Sequence, residues 1–183
     1  SFLEPATLVR IDARNGAATK LSTVNDELLA GTALGTYESV TYTGANGAPI
    51  QMWVNYPPGL DRSKKHSIFL LIHGGTAWPN FHGSSGFGQA FADSINPQQD
   101  ELPYADVIAA ADWLGAQPWA DKERMVAGGG SYGGYATLVG LAFTPEEFSC
   151  GVDIVGPSNL VTLMVSIPPY WESFRKIFAR AIG

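Results

Sequence analysis

Residues 124–134 read RMVAGGGSYGG and contain one serine, Ser131, inside a Gly-x-Ser-x-Gly pattern. Residues 124–127 have the composition of a short strand, and residues 134–143 have that of a helix that ends before a proline. A serine at a sharp strand-to-helix turn has a strained backbone that only small neighbours tolerate, and the flanking glycines meet that need. The sequence therefore predicts a nucleophile elbow with Ser131 at its apex.

A simple turn and a phosphate-binding loop are also rich in glycine, but both fit this segment less well. A loop that only turns the chain would match the same pattern, yet the predicted strand and helix on either side favour the elbow. A phosphate-binding loop requires a lysine directly after its glycines, and the sequence has none there.

A second glycine-bearing segment follows the apolar run 68–72 and contributes Gly74 and Gly75. Backbone N–H groups of a glycine-rich loop at the end of a strand can face the serine of a nucleophile elbow. We therefore predict an oxyanion hole formed by Gly74, Gly75 and the N–H group of Tyr132. The alternative is a turn that merely ends the strand.

The elements around the elbow predict an α/β fold with a parallel sheet. The run 68–72 is continuously apolar, as in a strand covered on both faces, and residues 151–155 have a similar texture. Helical spacing is evident over 103–115 and again over 171–178. Strands that alternate with helices are typical of the α/β class.

The N-terminal part has a different pattern, typical of β-hairpins. Residues 7–24 read as two short strands around an Asn-Gly turn at 15–16, and residues 37–56 alternate around a second glycine-bearing turn. We therefore predict hairpins ahead of the α/β region.

Composition excludes several classes of protein. The net charge of −6 gives no electrostatic reason to bind nucleic acid or an anionic membrane, and no apolar run approaches the roughly 20 residues of a membrane-spanning helix. The single cysteine, Cys150, excludes a disulfide within this chain and a cysteine-built zinc site, and we expect it to be a buried thiol. The compartment stays open between cytoplasm, which we slightly favour, and periplasm.

Three stretches resemble the prolyl oligopeptidase family: LIHGG at 71–75, NFHGSSGFGQAF at 80–91 and GGSYGGY at 129–135. The texture is similar to its dipeptidyl-peptidase and acylaminoacyl-peptidase branches. The resemblance implies an α/β-hydrolase domain over residues 37–183, shortened, and a hairpin at 1–36 that corresponds to the end of the β-propeller preceding that domain.

The resemblance also implies the chemistry. Ser131 would attack a peptide or carboxylic ester carbonyl and form an acyl-enzyme, with Tyr132 and Gly75 lining the oxyanion hole. We expect a small ester or peptide substrate, no organic cofactor and no metal.

The family pattern is incomplete after the serine, because the 52 residues that follow Ser131 contain no histidine and only one aspartate, Asp153. We interpret Asp153 as structural rather than as a surrogate acid. His82 and His73 remain as candidate bases, since geometry rather than chain order defines a triad. Relatives often have a basic residue at the position of His82, and His73 is more often a scaffold residue.

The predicted sheet is also incomplete, because only two residues separate Gly75 from Trp78, too few for a crossover between parallel strands. Unpaired edges and exposed apolar faces favour association, so we expect a homo-oligomer. Our main hypothesis is a serine hydrolase. The alternatives are a catalytically silent, truncated hydrolase that acts as a binding or interaction module, and a fragment of a longer enzyme.

Overall fold

The computed structural model describes residues 5–74, 81–84, 86–95 and 101–182. Within them no helix is long and apolar enough to span a bilayer. The strands are β1 (Val9–Ile11), β2 (Ala18–Lys20), β3 (Thr36–Thr43), β4 (Pro49–Tyr56), β5 (His66–Ile72), β6 (Ala120–Gly130) and β7 (Cys150–Ile154). The α-helices are α1 (Asp26–Leu29), α2 (Gln89–Asp93), α3 (Leu102–Gly115), α4 (Tyr132–Phe143), α5 (Leu160–Ser166) and α6 (Glu172–Ile182).

The described residues form two compact units. One contains residues 5–40 and 53–61, and the other contains residues 41–52 and the described residues between 62 and 182. In the first unit β1 and β2 pair antiparallel, with Val9 opposite Lys20, and Gly16 adopts a φ of 73° in the turn between them. The hairpin predicted for residues 7–24 is therefore present. The boundary that we predict at residues 36–37 stays a prediction.

The second unit is built on a parallel sheet of order β5-β6-β7, which confirms the α/β class. Ile72 lies beside Gly129, and Gly129 lies beside Asp153. Strand β6 is longer than the predicted 124–127 because it is the central strand and hydrogen-bonds to a neighbour on each side. The predicted helices also form, as α3, α4 and α6.

Helices α3 and α4 cover one face of this sheet. Both crossovers, through α3 and through α4, run in the same direction across it, and right-handed crossovers then place both helices on the same face. Ile68, Leu70 and Ile72 of β5 are buried on that side. In contrast, Phe69 and Leu71 are 56% and 71% exposed.

The prediction that residues 68–72 are covered on both faces is therefore wrong for the described part of the chain. Burial alternates along β5 because no helix in the described ranges packs on the side of Phe69 and Leu71. The prediction for Cys150 is also wrong. Its side chain is exposed because β7 lies at the edge of the sheet.

One buried carboxylate links helix α3 to two other segments of the second unit. Asp106 is fully buried, and its Oδ1 accepts a hydrogen bond from the N–H of Ala45 at 2.7 Å. Its Oδ2 accepts from the N–H of His82 at 2.7 Å and lies 2.6 Å from His82 Nδ1. The Asp106 carbonyl accepts from the Tyr42 hydroxyl at 3.0 Å. This cluster, the Asp106 node, fixes the 44–48 turn and the 81–84 loop on α3.

Replacing Asp106 by alanine should strongly reduce the stability of the protein. The Asp106→Ala variant leaves the buried N–H of His82, the partly buried N–H of Ala45 and an imidazole without their acceptor, so we expect the free energy of unfolding to fall by about 3–5 kcal/mol. Urea titration followed by circular dichroism measures it. Asp112→Ala, an exposed aspartate on the same helix, is the matched control and should change stability by less than about 0.5 kcal/mol. Equal losses in both variants would contradict the role of the node.

Candidate active site

Ser131 lies between the last residue of β6 and the first residue of α4, with φ 56° and ψ −119°. These backbone angles are outside the regions that residues other than glycine normally occupy. Strain of this kind is concentrated at functional sites. The Ser131 side chain is exposed, and α4 directs the positive end of its dipole toward it. The serine is therefore presented to solvent on a strained strand-to-helix bend, the 129–133 bend.

Two backbone hydrogen bonds hold Ser131 in this conformation. Its N–H donates to the carbonyl of Ile154 at the end of β7, at 2.9 Å. Its carbonyl accepts from the N–H of Tyr135 at 3.0 Å, the first hydrogen bond of α4. Ser131 is thus tied to the neighbouring strand on one side and to its own helix on the other.

Glycine is required at two positions of the bend because backbone packs on backbone there. A Cβ atom on Gly129 would lie 2.6 Å from the carbonyl carbon of Gly133. A Cβ on Gly133 would lie 2.8 Å from the carbonyl carbon of Ile72 and 2.9 Å from the carbonyl oxygen of His73. The bend consequently rests directly on the end of β5.

The loop after β5 passes beside Ser131. A Cβ on Gly74 would lie 2.5 Å from the Gly130 carbonyl oxygen and 3.1 Å from Ser131 Cβ. Tyr132 is the first residue of α4, where N–H groups have no acceptor within the helix itself. The structure therefore brings Gly74 and Tyr132 next to Ser131, whereas Gly75 and Trp78 lie outside the described residues.

His73 lies close to the bend. Its ring stacks on Phe81 with centroids 4.2 Å apart, and Phe81 in turn contacts the Tyr132 ring at 5.9 Å. His73 Nδ1 is 3.3 Å from the Gly74 carbonyl oxygen, and its Nε2 is buried without a hydrogen-bond partner in the described part of the chain. Burial lowers the pKa of His73 below 6.5, although the hydrogen bond to Gly74 opposes that shift.

His82, the other candidate base, belongs to the Asp106 node. It is 7% exposed, and its ring stacks on Phe91 at 4.7 Å. A carboxylate on the Nδ1 atom is what orients a triad histidine. Nevertheless, across the described ranges neither His82 nor His73 has a hydrogen bond to the Ser131 hydroxyl.

Asp106 is not among the residues predicted from the sequence, although its position in α3 contains a signal for it. The buried residues of α3 recur at helical spacing, and the carboxylate lies on this apolar stripe rather than opposite it. The buried residues are Pro103, Asp106, Val107, Ala110, Ala111 and Leu114. A charge within such a stripe indicates a buried partner.

Asp153 is exposed and hydrogen-bonds locally. Its Oδ1 accepts from the N–H of Gly156 at 2.8 Å, and the structure describes no histidine bonded to it. Among the residues that the structure describes, no three histidine, cysteine, aspartate or glutamate side chains are placed to hold a metal ion.

Comparison with known proteins bears on this geometry. A sequence model of the prolyl oligopeptidase family matches residues 64–177, more than half of the chain, including β5, the 129–133 bend and β7. The chain belongs to the prolyl oligopeptidase family. The resemblance inferred from the sequence is therefore confirmed.

Two relatives within the prolyl oligopeptidase family illustrate the match. Dipeptidyl aminopeptidase BIII of Pseudoxanthomonas mexicana is 49% identical over 104 residues, which cover 57% of this chain and 15% of that protein. Dipeptidyl peptidase family member 6 of Caenorhabditis elegans is 45% identical over 147 residues, which cover 68% of this chain and 20% of that protein. The chain spans a fifth or less of the length of these two relatives.

Solved structures give the same fold. A puromycin-hydrolyzing peptidase of Mycobacterium tuberculosis superposes with a TM-score of 0.80 at 23% identity, over 98% of this chain and 31% of that one. The acylaminoacyl peptidase of Pyrococcus horikoshii gives 0.75 at 20% identity, over 88% and 29%. The predicted α/β-hydrolase fold is thus confirmed, with three parallel strands in the described part of the chain.

Gly128 and Gly129, which are adjacent at the start of the bend, should differ sharply in their tolerance of a methyl group. Gly129→Ala would push a Cβ into the backbone of Gly133, so we expect a loss of about 1–3 kcal/mol in the free energy of unfolding. Gly128→Ala is the matched control. Its Cβ would meet the ring end of Phe69, an exposed side chain that can rotate away, and we expect less than about 1 kcal/mol. Urea unfolding of both variants measures the difference, and equal losses would refute the packing argument.

Stability should depend on pH through His73. Because the folded state lowers the pKa of this histidine, the unfolded chain binds a proton more readily as pH falls below about 6.5. The free energy of unfolding should therefore decrease from pH 7 to pH 5, and His73→Gln should flatten that part of the profile. Urea unfolding at half-unit pH intervals measures both slopes. An unchanged slope in the variant would show that other groups cause the dependence.

Proposed function

We propose that the chain provides the nucleophile of a serine peptidase in which Ser131 forms an acyl-enzyme. The observation that carries the proposal is the exposed serine with φ 56° at the N-terminus of α4. The names of the two relatives, a dipeptidyl aminopeptidase and a dipeptidyl peptidase, favour short peptides as substrates. An exposed bend would also admit small activated carboxylic esters.

The proposed reaction follows from the position of the hydroxyl. Ser131 Oγ attacks the carbonyl carbon, its proton passes to a base, and the carbonyl electrons move to oxygen to give a tetrahedral oxyanion. Collapse of this intermediate expels the amine or alcohol, which receives the proton, and water then hydrolyses the acyl-serine ester. The N–H groups of Tyr132 and of the loop at Gly74 and Gly75 would stabilise the oxyanion, together with the helix dipole.

A general base needs a position near Ser131 and a carboxylate that orients its ring, and each of two histidines has one of these properties. His73 has the location, because it precedes Gly74 and reaches Tyr132 through the ring of Phe81. His82 has the orienting carboxylate of Asp106. Neither combines the two in the described residues, so we propose both as candidates.

An activity-based probe tests the proposal directly. A fluorophosphonate should label the wild-type chain at Ser131, because only an activated serine reacts at an appreciable rate. Ser131→Ala should abolish labelling, and Ser166→Ala, which removes a hydroxyl on α5, should leave it unchanged. Gel fluorescence and peptide mass spectrometry measure the site and the rate.

The same assay identifies which histidine acts as the base. A fall of about 100-fold in the labelling rate of either His73→Gln or His82→Gln would identify that residue as the base. Folded wild-type protein that stays unlabelled would overturn the proposal and favour the silent, binding alternative.

A further inference from the structure

The turn after β7 has an unusual backbone. Val155 follows directly after Ile154 with φ 53°, in the left-handed region, and its side chain is 85% exposed. For a β-branched residue this conformation is a clear outlier that costs free energy. Burial of the side chain does not compensate for that cost, so contacts with neighbouring residues must hold the turn in place.

Two contacts hold it. The Asp153 carboxylate accepts a hydrogen bond from the N–H of Gly156 at 2.8 Å and so closes the turn across Val155. On the other side Gly156 packs on the first turn of α4. A Cβ at this position would lie 2.5 Å from the carbonyl carbon of Gly134 and 2.6 Å from the nitrogen of Tyr135.

The closed turn acts on the nucleophile through Ile154. The Ile154 carbonyl, immediately before Val155, accepts the N–H of Ser131 at 2.9 Å. We propose that Asp153 is a positioning residue for Ser131, because its carboxylate closes the strained turn that aims this carbonyl at the nucleophile. The expected effect on the reactivity of Ser131 rests on the proposed function. The expected effect on the hydrogen bond from the Ser131 N–H to the Ile154 carbonyl does not.

This role differs from that of a surrogate acid. A triad acid orients a histidine, whereas the Asp153 Oδ1 accepts a hydrogen bond from the Gly156 N–H, and no histidine among the described residues bonds to this carboxylate. It also differs from an electrostatic effect on the helix. A Cβ on Gly134 would meet Asp153 Oδ1, so the carboxylate lies at the first turn of α4, where a negative charge stabilises a helix. Substitution can separate the hydrogen bond from the charge.

Hydrogen exchange at the Ser131 amide measures the positioning directly. In Asp153→Ala the exchange rate, measured by NMR at pH 7, should rise about tenfold, because the turn opens and the Ile154 carbonyl moves away. Asp153→Asn keeps an oxygen that can accept a hydrogen bond from the Gly156 N–H. In this variant the exchange rate of the Ser131 amide should rise less than about threefold. The matched control Asp112→Ala should leave the rate unchanged. The amide of Ala127, a fully buried residue of β6, reports global unfolding and normalises every variant.

A double variant tests whether the effect passes through the turn. Val155→Gly removes the steric cost of the left-handed conformation, so the turn should persist without the carboxylate. In that background Asp153→Ala should accelerate Ser131 exchange by less than about threefold. An equal acceleration in both backgrounds would overturn the proposal, as would Asp153→Asn behaving like Asp153→Ala, which would assign the effect to charge.

Labelling by fluorophosphonate in the same variants connects positioning to reactivity. The normalised labelling rate should fall about tenfold in Asp153→Ala, recover in Asp153→Asn and recover in the double variant. Unlabelled wild-type protein would refute the proposed function, while the exchange rates would still decide the role of Asp153. Faster exchange together with unchanged labelling would overturn the catalytic part of the inference.

Discussion

Direct packing of the 129–133 bend on the end of β5 is the constraint on which the site depends. Gly129 and Gly133 have no room for a side chain, because the backbone of Ile72 and His73 occupies that space. This packing brings the loop at Gly74 beside Ser131, and it follows from the parallel pairing of β5 with β6. The site is therefore a property of the sheet and cannot be assigned to the serine motif alone.

The local parts of this arrangement could be predicted from the sequence. The predicted strand, the serine flanked by glycines and the predicted helix all lie within residues 124–143. Short-range propensity and spacing are therefore sufficient to predict the bend. The hairpin around Gly16 and the helix α3 were predictable for the same reason. The family was predictable because its motifs are also contiguous segments.

The remaining features depend on contacts that the sequence pattern does not specify. The partners of Asp106 lie 61 and 24 residues away, so nothing in its own neighbourhood names them. Exposure of Phe69 and Leu71 depends on which side of the sheet the two crossovers occupy, and a continuous apolar run fits either one covered face or two. The exposure of Cys150 likewise follows from the edge position of β7.

The Asp106 node has a consequence for recombination with homologous enzymes. One carboxylate serves the 44–48 turn, the 81–84 loop and helix α3, with His82 in contact through both its backbone and its ring. A chimera that imports only one of these segments would bury an unmatched donor or an unmatched charge. The three segments are therefore expected to be exchangeable only as a set, although they are distant in the chain.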